Sequence, residues 1–105
     1  MTTTRPLASA GPAPAAGLEL QLRLYVAGNA PNSERAIANA KAICDEHFAS
    51  RFDLEVVDLL EHPTRALADG IIVTPTLLKL MPLPVQRVIG NLSDTDQVLL
   101  ALGRR

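Results

Sequence analysis

The sequence predicts a single mixed α/β domain with the element order βαβαββα. Three observations carry that expectation. An alternating apolar stretch lies near the start, a helix-spaced apolar series follows it, and a proline corner later separates two apolar runs. A strand, a helix and a second strand in that order make a crossover unit with parallel strands. The later pair of strands, close in sequence, is most simply an antiparallel hairpin.

Each element has a local cause. In "LELQLRLYV", Leu18, Leu20, Leu22, Leu24 and Val26 share one face, as in a strand with one face more buried. "AGNAPNS" is a loop of turn formers, after which Asn32 or Ser33 is positioned to cap a helix with Glu34 in its first turn. Ala36, Ile37, Ala40, Ile43, Cys44, His47 and Phe48 recur at helical spacing, which carries this helix to about Ala49. "RFDLEVVDLL" reads as a second strand. Pro63 suits the first turn of a short helix over 64–69, and Gly70 the position past its end. Ile71 to Val73 lead into the proline corner, Thr76 to Met81 form a third strand, and Pro82-Leu83-Pro84 force a turn into a fourth strand over 85–89. Ser93-Asp94-Thr95-Asp96 resembles a capping box before a last helix with Val98, Leu99 and Leu102 as its apolar stripe. This order, with a proline corner before the third strand, is thioredoxin-like architecture.

Bulk composition narrows the function. The chain has 105 residues, enough for one domain, and 48% hydrophobic content, enough for a core. With one Tyr, two Phe and no Trp, that core is aliphatic. Residues 1–17, rich in Pro, Ala, Gly and Thr, read as a flexible tail, and residues 18–105 as the folded domain. A net charge of −1 from ten basic and eleven acidic side chains makes no case for nucleic acid or an anionic membrane. No apolar run reaches the ~18 residues of a membrane span, and one cysteine excludes an internal disulfide, so a cytoplasmic setting is expected.

The thioredoxin-like pattern raises the question of redox chemistry. The redox pair of that fold lies after the first strand, where a helix N-terminus stabilises the thiolate. The matching stretch here is Asn29-Ala30-Pro31-Asn32, similar to Cys-Gly-Pro-Cys with both sulfurs replaced by amides. Asparagine cannot attack a disulfide. Cys44 lies about three turns along the helix on its apolar side, where a small buried hydrophobe is the ordinary reading. Cys44 and His47 are two candidate ligands with His62 remote in sequence, too few for a metal site. No phosphate loop, nucleophile elbow or triad spacing is present. No enzyme and no cofactor are expected.

At a finer grain the sequence resembles the KaiB family. "LRLYVAGNAPNSERA" is similar to the family's N-terminal signature, and "VVDLLEHP", "TPTLLKLMPLPVQRVIGNLSD" and "VLLAL" follow in the family's order, together covering about residues 20 to 102. The resemblance implies binding without catalysis. It implies docking on the N-terminal ATPase ring of a hexameric KaiC-like ATPase, displacement of the kinase SasA, and recruitment of KaiA or the kinase CikA. It also implies two folds: a tetrameric KaiB ground state with a different C-terminal half, and a thioredoxin-like binding state that is a monomer or dimer. Arg35, Lys79 and Arg87 resemble basic positions used for partner contacts, with Asn29 and Asn32 at the binding end. Thr74, Pro75, Pro82 and Pro84 resemble positions whose isomer state differs between the folds.

Three departures from the family pattern refine this expectation. The end reads Ala101-Leu102-Gly103 where a Gly and then Leu-Asp are common. Ala in place of Gly favours a helix by about 0.8–1 kcal/mol. Losing an Asp near a helix C-terminus, with Arg104 and Arg105 there instead, adds about 0.3–1 kcal/mol. Both favour the thioredoxin-like state. The chain stops at Arg105 without an acidic tail, and Asp53 and Glu55 stand where Ala and Lys are usual. The last change argues against KaiA recruitment and for a reduced system, as in an hourglass timer or a stress role. Two alternatives stay open: a degenerate oxidoreductase using Cys44, and a stand-alone sensor domain like that of SasA.

Overall fold

Leucine at alternate positions makes the first strand, β1 (Leu20–Val26), the spine of the molecule. The computed structural model describes residues 20–49 and 51–103, so the expected tail over 1–17, together with Leu18, lies outside the described residues. Leu20, Leu22, Leu24 and Val26 are all buried on one face, each contributing ~1.5–3 kcal/mol by leaving water. Tyr25, on the other face, is equally buried. The strand is therefore covered on both sides, which alternation alone does not reveal.

The first helix, α1 (Pro31–Phe48), starts two to three residues earlier than the capping pattern predicts, with Ala30 as its cap and no side-chain cap bond. Proline at the first helical position has a preset φ and no N–H to satisfy. Ser33 is therefore released from capping. Its buried hydroxyl accepts the Ala27 N–H at 3.0 Å and so closes the preceding loop. The helix ends at Ala49 in the left-handed region, φ 47°.

β2 (Phe52–Asp58) runs parallel to β1, with Leu24 beside Val56. The short helix α2 (Pro63–Ala68) ends at Asp69, and Gly70 takes φ 68°, as its place past the helix requires. β3 (Thr76–Met81) returns antiparallel to β1, and β4 (Gln86–Ile89) antiparallel to β3. The strand order is β2-β1-β3-β4, so β1 is interior and β2 is an edge. The Thr74–Pro75, Met81–Pro82 and Leu83–Pro84 bonds are cis.

The last helix, α3 (Thr95–Leu102), is capped one residue later than Ser93: the Asp94 carboxylate accepts the Gln97 N–H at 3.2 Å. In the turn before it the Ser93 N–H donates to Asn91 Oδ1. Ala101 lies in the helix and Gly103 closes it at φ 95°. The C-terminal half is thus in the thioredoxin-like arrangement.

Helices α1 and α3 cover one face of the sheet, where Leu22, Leu24 and Leu77 meet Ala40, Ile43, Val98 and Leu102. Helix α2 covers the other with a smaller cluster of Tyr25, Val57, Ala66 and Leu78. Among the described residues no helix is long and apolar enough to cross a membrane, and no group of three His, Cys, Asp or Glu is placed to hold a metal.

Candidate interaction surface

β1 and β2 finish, β3 begins and β4 finishes at one end of the sheet, so four loops converge there. Asp58, the last residue of β2, accepts hydrogen bonds from the Gly28 N–H at 3.1 Å and the Leu60 N–H at 2.9 Å. It thereby ties the β1–α1 loop to the turn after β2. Gly28 is required at φ 59°, since a Cβ there would also come within 3.3 Å of Leu60 Cδ1. An aspartate that closes a turn two residues on is legible in sequence as an Asx turn former.

Asn91 plays the corresponding part for the loop before α3. Its carbonyl accepts from Asn39 Nδ2 at 2.8 Å, its Oδ1 from the Ser93 N–H at 3.1 Å, and its Nδ2 lies 3.5 Å from Asn32 Oδ1. No periodicity marks such a residue. Across the same end, the Thr76 hydroxyl donates to the Val73 carbonyl at 2.6 Å, and the Gly90 N–H to the Pro75 carbonyl at 3.0 Å. On this braced frame stand exposed Ile72, Leu60, Ile89 and Val73, at 93%, 68%, 64% and 46% exposure. Braced loops that present apolar side chains amid amides have the make-up of a protein-binding surface.

The residues expected from sequence do not form one cluster. Asn29, Asn32 and Arg35 are exposed together at this end, on the loop and first turn of α1. Arg87 faces α2 instead: its guanidinium donates to the carbonyls of Asp69 at 2.7 Å and Gly70 at 3.1 Å, covering the end of that helix. Lys79 lies toward the opposite end of β3 and is buried, at 5% exposure, on the face that α1 and α3 cover. Of the fold-switch candidates, Thr74 and Pro75 are at the loop-bearing end, and Pro82, Pro84, Ala101 and Gly103 are at the other.

Two sets of side chains speak to chemistry. Cys44 is sealed in the core at 1% exposure, and burial, reinforced by Asp45, pushes its thiol up to about 11. A neutral thiol without access to solvent is not a nucleophile. The second is an ion-pair chain against α2. Arg65 and Arg23 both hold Glu55, Arg23 also holds Asp69 at 2.8 Å, and the Tyr25 hydroxyl donates to Asp69 Oδ2 at 2.5 Å. Hydrogen bonds from Arg65, and then Arg23, bring the Glu55 carboxyl down to about 2 against the opposing effect of burial. The Tyr25 hydroxyl, then Arg23, lower Asp69, while burial and Asp69 raise Tyr25 itself. This chain pins α2 to the sheet.

Fold and site together define a thioredoxin-like protein that has amides where redox members carry their dithiol. Structural likeness agrees. The N-terminal domain of Synechococcus elongatus SasA superposes with a TM-score of 0.68 and 28% identity over 90% of this chain and 91% of that domain. Yeast mitochondrial thioredoxin 3 superposes at 0.66 with 10% identity over 80% of this chain and 76% of its own, which shows the fold alone. The chain belongs to the KaiB family: the KaiB domain model matches residues 23–104. It is 49% identical to the circadian clock protein KaiB3 of Synechocystis and 51% identical to the circadian clock oscillator protein KaiB of Synechococcus elongatus. Each match spans 81 residues, 77% of this chain and 79% of the relative. It is a KaiB-type clock regulator.

Proposed function

We propose that this protein is a non-catalytic regulator that docks on the ATPase ring of a KaiC-like protein and competes there with a SasA-type sensor domain. The observation that carries the reading is the likeness to the SasA N-terminal domain over nine-tenths of both chains at 28% identity. Two domains of one fold and related sequence are suited to the same partner. The exposed apolar side chains at the loop-bearing end of the sheet, flanked by Asn29, Asn32 and Arg35, supply an apolar centre with a polar rim. In this reading Arg87 acts by holding the end of α2, and Lys79 stands apart from the docking end. The sealed Cys44 supports a role without redox chemistry. Acidic Asp53 and Glu55 on the edge strand argue against KaiA as a further partner. A cytoplasmic setting follows from the nature of such a partner.

The test is co-elution with the KaiC homologue of the same genome on a sizing column with ATP, before and after adding excess SasA-type domain. Co-migration with the ring, reversed by that domain, is expected. Proteins that stay apart after prolonged incubation at excess would overturn the reading. Co-migration that the domain leaves untouched would overturn the competition.

A further inference from the structure

Lys79 is out of place for a surface cation. Its β1 neighbour in register is Leu22, and paired residues share a face, so Lys79 belongs to the row of Leu22 and Leu77 beneath the helices. A bulge just beyond it, where Gln21 meets Met81, lets the strand bend away at this point. At 5% exposure the Lys79 residue is almost wholly covered by protein, and among the described residues no hydrogen bond or ion pair meets its ammonium. Buried charges are ordinarily paired, because an unpaired one is heavily penalised. The missing partner has a place to sit. Lys79 lines a groove of about 440 Å³ with Phe48, Pro82, Leu83, Pro84, Leu102 and Gly103.

We propose that this groove binds a small organic monocarboxylate with an apolar body, its carboxylate on the Lys79 ammonium. The volume falls in the range of small-molecule sites, which are mostly apolar with one or two polar anchors. The charge count selects a monoanion. Lysine offers one compact positive charge, and among the described residues no other charged side chain lines the groove. The C-terminal ends of α1 and α3 meet here, and their carbonyls favour the lysine cation while opposing a second negative charge. A phosphate dianion, which needs several donors, is therefore a poor occupant. Phe48, Leu83 and Leu102 provide for an alkyl or aryl body, as a monocarboxylate would carry.

Octanoate, added to the full chain and followed by amide NMR shifts, tests this. Saturable shifts centred on Leu83, Leu102 and Gly103 are expected, with 1-octanol binding at least ten-fold more weakly. Lys79→Met, which keeps the stem and removes the charge, should weaken octanoate at least ten-fold. Leu83→Glu, at an exposed position on the groove, keeps the test valid if the lysine variant fails to fold. Its tethered carboxylate should occupy Lys79 and weaken octanoate to a similar degree. Absence of saturable shifts in the groove, equal binding of octanol and octanoate, or unchanged octanoate affinity in either variant would each overturn the proposal.

Discussion

Arg65 grips Glu55 with both teeth of its fork, Nη1 on Oε2 and Nη2 on Oε1, each at 2.8 Å. The pair joins α2 to the edge strand β2, and Arg23 extends it through Asp69 to Tyr25. The bidentate geometry resists rotation, so it sets where α2 lies as well as how firmly it is held.

The first prediction follows from the charge on Glu55. Its carboxyl titrates at about 2 in the fold, mainly through Arg65, against about 4.3 in an unfolded chain. A depressed carboxylate stabilises the fold fully above its unfolded value, and that contribution disappears as pH falls toward the folded value. Stability should therefore decline between about pH 5 and pH 2, with the lowered Asp69 acting in the same sense. Glu55→Gln should flatten this limb, read as urea midpoints at successive pH values. Coincident acid limbs for the two proteins would refute the assignment.

Tyr25 is buried, and its hydroxyl also reaches the Arg65 carbonyl at 3.0 Å. Tyr25→Phe removes the donor that holds Asp69, while the Arg65 carbonyl keeps the Asp69 N–H at 3.1 Å. A loss of about 1–3 kcal/mol is expected from denaturant unfolding. Amide exchange should rise most within α2, since the ring itself still fills the core. Protection spread evenly over the sheet would mean that the hydroxyl does not anchor this helix.

For α3 the two ends make separate predictions. Asp94→Ala removes the side-chain acceptor of the Gln97 N–H and should cost about 1 kcal/mol. Gly103→Ala places a Cβ on a residue at φ 95°, where only glycine is at ease, and should cost at least about 1 kcal/mol. Thermal melts followed by circular dichroism would show both. An unchanged midpoint for either would mean that the corresponding cap is not formed in solution.

Cys44 should be inert in the native protein. Its thiol, raised to about 11 and 1% exposed, should react with an aromatic disulfide reagent only as fast as the chain opens. Cys44→Ala should leave ring binding unchanged while lowering stability by about 1 kcal/mol, in the range of a small core truncation. Rapid stoichiometric labelling at neutral pH would contradict this.

Arg35 separates surface from scaffold. It is exposed on the first turn of α1, with no hydrogen bond or ion pair among the described residues, so Arg35→Ala should alter stability by less than about 0.5 kcal/mol. Binding to the KaiC-like ring should nonetheless weaken by about three- to ten-fold. Measured against ionic strength, the variant should show the shallower dependence. Unchanged affinity would remove Arg35 from the docking surface.

Sequence alone determined the element order, the aliphatic core, the missing dithiol and the membership in the KaiB pattern. Each is a local property: alternation in β1, helical spacing in α1, amides at Asn29 and Asn32, and punctuation at Pro63, Gly70 and Pro75. Tertiary structure decided the rest. Ser33 turns its hydroxyl to the Ala27 N–H of the preceding loop, and Asp94 rather than Ser93 caps α3. Tyr25 and Lys79 occupy positions that strand alternation leaves ambiguous. Their burial depends on α2 crossing one face of the sheet and on α1 and α3 ending together over the other. Asn91 and Asp58 bind loops far apart in sequence. Alternation and helical spacing record a residue's immediate neighbours, whereas burial and charge pairing depend on segments that meet only when the chain has folded.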